Sequence, residues 1–453
     1  MIIENLSPDE LQAYGRNPRT HSQKQIRQIA DSIRKFGFTN PVLVSDDLEI
    51  MAGHGRVKAA IELGLVTIPV VRLSHLDETE RRAYVLADNK LALNAGWDKE
   101  LLALELGALL DLDFDVSLTG FTTAEVDLAL DALRESDDDE RDPEDKVPEV
   151  DGPAVTRRGE VWILGRHRLI CGDARNPDDY TAVLNGRDAD LIFTDPPYNV
   201  KIDGNVTGLG SKHHREFAMA VGEMSEATFT NFLAETLGCA AKVSRDGAIA
   251  FVCMDWRHVV ELVTAGKIAF TEMKNLCVWA KTNGGMGTFY RSRHELVGVF
   301  KVGTAPHINT FGLGESGRYR TNVWEYPGVS SLGRDRDEAL AMHPTVKPAA
   351  LVADAIRDCS NRGNLVLDPF AGSGTTLIAA ETCGRHAAVI EYDPLYCDTI
   401  VRRYEIFTGK QARLASTGQT FEDVAAERLP EPEQTQEGDA EMARDDDGQD
   451  EAA

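Results

Sequence analysis

Residues 191–199, Leu-Ile-Phe-Thr-Asp-Pro-Pro-Tyr-Asn, impose the hardest local constraint in the chain. A short apolar run of strand length meets a carboxylate and then two prolines, and proline fixes φ and supplies no N–H to a ladder. The strand has to end at Asp195. A strand that stops so abruptly presents its last side chains at the carboxyl edge of a sheet, where open α/β folds hold their ligands. An acceptor, a rigid bend and an aromatic ring at one point suit a planar base bearing an exocyclic amine. Asp195 and the carbonyl of Pro196 would accept the two amine hydrogens, Pro197 would help aim that carbonyl, and Tyr198 would stack on the ring. A plain strand-ending turn with a surface tyrosine explains the same four residues, so a second motif has to decide.

That motif is Leu365-Val366-Leu367-Asp368-Pro369-Phe370-Ala371-Gly372-Ser373-Gly374-Thr375-Thr376. Another apolar strand runs into a glycine-rich turn and then a helical pattern, which lets a nucleotide-like ligand approach the backbone closely. The turn lacks the lysine of an ATPase phosphate loop, which argues against ATP. Seventeen residues past Gly374 a third strand ends in Glu391, close to the spacing at which a carboxylate takes a ribose diol. A glycine turn alone is weak evidence; the turn, the acid and the Asp-Pro-Pro-Tyr stretch together are not.

Through these residues the stretch from about 156 to 415 resembles the S-adenosylmethionine-dependent amino-methyltransferases of DNA, in the permuted (beta) order where the catalytic motif precedes the cofactor motif. His343-Pro344-Thr345-Val346-Lys347-Pro348 matches the segment before the glycine turn, and Gly172-Asp173-Ala174 the cofactor-adenine segment. The resemblance implies a Rossmann-like doubly wound α/β domain and S-adenosyl-L-methionine as cofactor. It puts Asp173 near the cofactor adenine and Glu391 at its ribose. Asp368, Phe370, Gly372, Ser373, Gly374 and Thr375 would border the methionine end, with Thr345 and Lys347 close to its carboxylate. An aspartate as first catalytic letter resembles adenine-N6 enzymes; serine is usual in cytosine-N4 enzymes, which stay as the alternative.

A net charge of −26 sits oddly with a DNA partner until it is located. Residues 135–151 hold ten acids against two bases, residues 421–453 thirteen against two, and residues 99–134 eight against two. The body is therefore close to neutral, and the acidity reads as an acidic linker at 135–155 and a disordered acidic tail at 421–453. Residues 273–336 carry nine Lys or Arg against four acids, the sign that phosphates require, and are assigned to target recognition. Lys281, Tyr290, Arg291, Arg293, Arg318 and Arg320 are the candidate DNA contacts. The seven cysteines form no Cys-x-x-Cys pair and read as thiols in a reducing compartment, with no metal expected. The opening residues carry no signal-peptide pattern, and no apolar run is long enough for a membrane span.

Residues 1–98 form a first, small α+β unit. Ser22 is placed to cap a helix with Ile26, Ile29, Ile33 and Phe36 at helical spacing, stopped by Gly37. Strands follow at 41–44 and 68–71, and Met51-Ala52-Gly53-His54-Gly55-Arg56 reads as a tight turn entering a helix. With Asn17-Pro18-Arg19, this unit resembles the ParB/sulfiredoxin-like domain, but without a cysteine nucleophile for sulfiredoxin chemistry and without an acid cluster for a nuclease. Gly53, His54, Gly55 and Arg56 can hold a nucleotide phosphate by charge and backbone amides. Equally, the glycines can only make the turn while Arg56 pairs with an acid. The leucine-rich stretch 99–134 reads as a helical extension packing on this unit.

The glycine-rich stretch 200–225, with His213 and His214, reads as a loop that orders over substrate. The expected reaction is methyl transfer to the exocyclic N6 of an adenine flipped out of double-stranded DNA. Other readings are a partition-like DNA or nucleotide clamp with an inactive methyltransferase half, and modification of RNA or a protein amide. A homodimer is possible on the resemblance.

Overall fold

The computed structural model describes residues 2–134, 143–148, 150, 152–199, 222–282, 289–311, 318–327 and 347–429. Thr345, His213 and His214 lie outside the described residues, as does most of the loop expected over substrate.

The first unit runs β1 (Ile3–Leu6), α1 (Gln23–Phe36), β2 (Val42–Val44), β3 (Ile50–Ala52), α2 (His54–Glu62), β4 (Ile68–Arg72) and α3 (Glu78–Asn94). Its sheet has the order β1-β4-β2-β3 and buries Val42, Val44, Ile68 and Val70. Ser22 accepts from the Gln25 amide at 3.2 Å to start α1, and Gly37 ends it at φ +82°, where a side chain would be strained. Helix α3 was not anticipated from the sequence, although Asp77 and Glu80 form a complete capping box at its start. Helices α4 (Lys99–Asp111) and α5 (Thr123–Arg134) close on Leu106, Val116 and Val126. The stacked rings of Phe36 and Phe114 join this extension to α1.

The second unit runs β5 (Val161–Leu164), β6 (His167–Cys171), α6 (Pro177–Leu184), β7 (Ala189–Thr194), α7 (Glu226–Lys242), β8 (Ser244–Met254), α8 (Val259–Ala269), β9 (Glu272–Ala280), β10 (His294–Lys301) and β11 (Val323–Glu325). It continues through α9 (Ala349–Cys359), β12 (Leu365–Asp368), α10 (Thr375–Thr382), β13 (His386–Glu391), α11 (Pro394–Thr408), β14 (Arg413–Leu414) and α12 (Phe421–Arg428). The strands form one sheet in the order β11-β9-β10-β8-β7-β12-β13-β6-β5-β14.

Strands β8, β7, β12, β13 and β6 are mutually parallel, and their alternate residues feed two separate cores. Ile192, Ala250, Leu367 and Ile390 face α6, α7 and α8; Leu191, Phe251, Val366 and Val389 face α9, α10 and α11. The chain leaves β7 toward β8 on one side and leaves β12 toward β13 on the other. Right-handed crossovers in opposite directions put α7 and α10 on opposite faces, and the crevice between β7 and β12 is the switch point where such sheets bind ligands. Residues 195 and 368 both stand at that crevice. This is the Rossmann-like doubly wound α/β fold expected from the sequence, with a small α+β unit before it.

Two expectations about the acidic segments are corrected. Residues 421–428 are not tail: Thr420 and Asp423 form a capping box, Phe421 is 1% exposed and packs 5.3 Å from Trp162, and Arg428 pairs with Glu160 at 2.6 Å. Residues 143–145 are not free linker either, because this single 3-10 turn docks on the second unit. In the recognition segment, β9, β10 and β11 are strands of the main sheet.

Candidate functional site

Strand β7 ends at Thr194, and the chain turns through Asp195, Pro196, Pro197 and Tyr198 to Asn199. Asn199 takes a left-handed conformation (φ +53°), accepts from the amides of Gly222 and Met224, and donates to the Met224 carbonyl at 2.9 Å, which pins the exit of the turn. The Tyr198 hydroxyl donates to Asp195 Oδ1 at 2.5 Å and lies 3.2 Å from Glu295 Oε2. Lys347 Nζ reaches Asp195 Oδ2 at 2.6 Å, the Tyr198 oxygen at 3.0 Å and Glu295 Oε2 at 3.1 Å. Lys281 pairs with the other oxygen of Glu295, and its ammonium lies 4.4 Å from the centre of the Trp279 ring. Asp195, Lys347, Glu295 and Lys281 therefore form a chain of alternating charge, of which the first three touch the Tyr198 hydroxyl.

The electrostatics divide the two acids. Burial raises the Asp195 carboxyl above its ordinary range despite the attraction of Lys347. Burial opposes ionisation of Glu295 as well, but Lys347 and Lys281 outweigh it and hold that carboxyl down at about 2. Lys347 is raised, since the two acids overcome its burial, and so it is an ammonium at any working pH. Glu295 was missed in the sequence. It lies on β10, two strands from β7, and only sheet order brings it to the turn.

On the neighbouring strand Asp368 is buried and accepts from Thr194 Oγ1 at 2.9 Å, the Phe370 amide at 3.0 Å and Thr376 Oγ1 at 2.6 Å. Thr194 thus ties the end of β7 to the end of β12. Burial lifts Asp368 to about 6. Gly372 and Gly374 have φ of +52° and +85°, and a side chain on Gly374 would also press on Ile400 at 3.0 Å. Glu391 is buried at the end of β13, accepts among the described residues only from the Gly372 and Asp393 amides at 2.8 Å each, and is pushed up by burial to about 7. A carboxylate with free acceptor capacity beside a positive-φ glycine turn fits a ribose diol. The structure thus offers a cradle for a nucleoside-bearing cofactor at the same crevice as Asp195.

Other assigned residues sit differently. Lys347 was expected at the carboxylate of the cofactor; its ammonium is instead enclosed by Asp195, Tyr198 and Glu295. Ser373 and Thr375 turn their hydroxyls to Arg403, at 3.3 and 3.1 Å, while Phe370 packs 5.9 Å from Phe232. Asp173 stands two residues beyond β6 and is clamped by Arg175, which holds it below the ordinary carboxylate range.

Of the candidate DNA contacts, Tyr290 is 82% exposed beside the equally open Phe289, Arg291 and Arg293 are exposed, and Lys281 is engaged with Glu295. Arg318 and Arg320 are a correction. Arg318 is buried on Asp358 at 2.8 Å and Arg320 reaches the same acid at 2.9 Å, so their charges are spent inside the fold rather than offered to phosphates.

In the first unit, Gly53, His54, Gly55 and Arg56 line a hollow of about 200 Å³ together with Asn17, His21, Asp88 and Asn89. Gly53 sits at the N-cap of α2 with φ +102° and offers no side-chain cap. His54 Nε2 and Arg56 Nε are buried without a hydrogen-bond partner among the described residues, and burial lowers the pKa of both side chains.

A strand-end acid and a glycine turn on adjacent strands of a doubly wound sheet, flanking its switch point, fit the S-adenosylmethionine-dependent methyltransferases that the sequence resembles. Comparison with known proteins then fixes the branch. Residues 189–402 match the model of the DNA methylase family of N6 and N4 enzymes, residues 100–158 that of a ParB-methyltransferase helix-turn-helix domain, and residues 1–90 that of the ParB N-terminal domain. The Type II methyltransferase M2.MboI of Moraxella bovis is 26% identical over 241 residues, 51% of this chain and 85% of that protein. The ParB-like nuclease domain-containing protein YnaK of Escherichia coli (strain K12) is 48% identical over 73 residues, 16% of this chain and 84% of that protein. Among solved structures, the putative DNA modification methylase TTHA0409 of Thermus thermophilus, in complex with S-adenosyl-L-methionine, shares 22% identity, covering 54% of this chain and 96% of that one, with a TM-score of 0.37. Residues 189–402 form an N6/N4 DNA methylase domain, and the chain carries a ParB-like N-terminal domain. It is a DNA methyltransferase that uses S-adenosylmethionine.

Proposed function

We propose that the chain methylates the exocyclic N6 of an adenine flipped out of double-stranded DNA at a specific site. The observation that carries this reading is the group formed by Asp195, Tyr198, Lys347 and Glu295 at the end of β7, one strand from the glycine turn. A base in a duplex cannot reach a buried sheet edge, so it must leave the stack, at a cost of about a few kcal/mol. Stacking on Tyr198 would return about 1–3 kcal/mol. As the amine enters, Lys347 retains Glu295 as its partner, and Asp195 Oδ2 becomes free to accept an amine hydrogen while the Pro196 carbonyl takes the other. The nitrogen lone pair is then aimed away from the ring plane and out toward the crevice. Bound in that crevice, the cofactor supplies a methyl group on a sulfonium, already activated for transfer. The amine proton leaves through Asp195 to water. The aspartate at the first catalytic position favours adenine over cytosine.

Transfer of tritiated methyl from the cofactor to unmethylated duplex DNA of mixed sequence tests this. Asp195→Ala is expected to abolish transfer while cofactor binding stays within about threefold of wild type, since no cofactor-cradle residue is altered. Activity surviving in that variant sinks the assignment, and N4-methylcytosine as the product would move it to the alternative base.

A second reading attaches to the first unit: the hollow around Arg56 takes the phosphates of a nucleotide. Its support is the uncapped start of α2 beside two buried side-chain nitrogens that have no hydrogen-bond partner among the described residues. Calorimetric titration with CTP, ATP and inorganic phosphate should give binding to wild type that Arg56→Ala weakens at least about tenfold, a lost charge-assisted bond. Equal binding by both proteins would leave Gly53 and Gly55 with a turn to make and nothing more. A homodimer is compatible with both readings, and the oligomeric state in solution decides it.

A further inference from the structure

The turn at Pro143–Asp145 lies in the acidic stretch between the two units, yet it reaches two elements of the active crevice. Glu144 accepts from Thr382 Oγ1 at 2.9 Å, and its carbonyl accepts from Arg403 Nη2 at 2.6 Å. The other amino group of Arg403 donates to the Ser373 carbonyl at 3.0 Å and to both hydroxyls of the glycine turn. Asp145 Oδ1 accepts from the amide of Ala349 at 2.8 Å, across 204 residues of sequence. Ala349 is the first residue of α9, where the N-cap Pro348 brings no side-chain acceptor of its own. A helix start leaves its first amides without partners, and an acid there also meets the positive end of the helix dipole. Two residues before Ala349 stands Lys347, whose ammonium is 2.6 Å from Asp195. Near its other end the same helix is held by Arg357 on Asp131 of α5 at 2.8 Å.

We propose that Asp145 is a positioning residue for methyl transfer: by capping α9 from the linker it sets where Lys347 emerges and therefore where that ammonium meets Asp195. The inference rests on the reading of Asp195 given above. The acid touches neither substrate nor cofactor, and its effect passes through the first turn of α9. Without the cap, α9 frays at its start and Lys347 leaves Asp195 and Tyr198 in a range of positions; misplacement on the order of 1 Å in a reacting group is worth up to about 10²-fold in rate. The cofactor cradle, built on β12 and β13, is left in place.

The test compares full-length Asp145→Ala, Asp145→Asn and Asp195→Ala on the same duplex DNA. Asp145→Ala is expected to lower kcat about tenfold, with KM for S-adenosylmethionine within about twofold of wild type. Asp145→Asn, whose amide oxygen can still accept from Ala349, should recover most of that loss, and hydrogen exchange at residues 347–352 should rise in the Ala variant only. Native kcat in Asp145→Ala, equal losses in the Ala and Asn variants, or unchanged exchange at 347–352 would each overturn the proposal. Full transfer by Asp195→Ala would instead overturn the reading beneath it, so the two failures are told apart.

Discussion

Glu391 is a buried and Glu295 a mostly buried glutamate at the crevice, and their surroundings drive them in opposite directions. Glu295 faces two ammonium groups and is ionised down to about 2; Glu391 has only two amides and is not ionised until about 7. The signs for stability follow. The share of stability from Glu295 is present above the ordinary glutamate range and is lost as pH falls toward 2. That from Glu391, whose folded value lies above the ordinary one, is present at low pH and is lost as pH rises through 7. Ribose hydroxyls donating to Glu391 require the carboxylate, so binding of S-adenosylmethionine should release a proton and weaken by up to about tenfold per pH unit below 7. Calorimetric titration at pH 6, 7 and 8 in buffers of different ionisation enthalpy measures both effects; an affinity flat across that range would remove Glu391 from the ribose. Asp195 and Glu391 were legible from the sequence because each ends an apolar strand. Glu295 was not, since its neighbours come from β7 and from the segment before α9, and no local pattern announces a cross-sheet partner.

At the scale of elements, local grammar located the strands that carry the chemistry and missed helices whose grammar was equally plain. The Asp-Pro-Pro punctuation placed the end of β7 at Asp195, one residue past the observed Thr194, and the glycine turn follows β12 directly after Asp368 and Pro369. Helices α3 and α12 both open on capping boxes, Asp77 with Glu80 and Thr420 with Asp423, yet the acidic surroundings of α12 made it read as tail. What decides α12 is one aromatic residue: Phe421 packs on Trp162 inside the main core, and Arg402 lies 4.8 Å from the centre of its ring. Truncating such a side chain removes its transfer energy and leaves a cavity. Phe421→Ala is expected to destabilise the second unit by about 3–5 kcal/mol in urea unfolding, whereas a true tail residue would change nothing measurable. The arginines at 318 and 320 teach the reverse lesson. A basic excess in sequence is not a basic surface when Asp354 and Asp358, on a helix some 40 residues later, absorb it.

At the scale of the whole molecule, the acidity of residues 99–151 acquires a structural use. Asp127 of α5 is buried and binds Arg362 at 2.8 Å and the fully buried Arg385 at 2.9 Å, while Asp131 holds Arg357. The helical extension was expected to pack on the first unit, which it does through Phe114; its other side is fastened to the face of the sheet covered by α9 and α10. The first unit is thereby joined to the methyltransferase half through a continuous body of side chains and not by a loose tether. Removing one member of a buried ion pair strands the other, at a cost of about 3–5 kcal/mol, while replacing the pair would cost far less. Asp127→Ala should therefore do more than lower stability: with the Arg385 charge left uncompensated under α5, the extension should release, and the single melting transition expected of the wild type should split in two. Differential scanning calorimetry reads this directly. One undivided transition in Asp127→Ala, at an unchanged temperature, would mean that the two halves are held together elsewhere. In that case the contacts of Glu144 and Asp145, past α5 on the linker, with Arg403 and Ala349 would carry the connection together with Asp131 on Arg357.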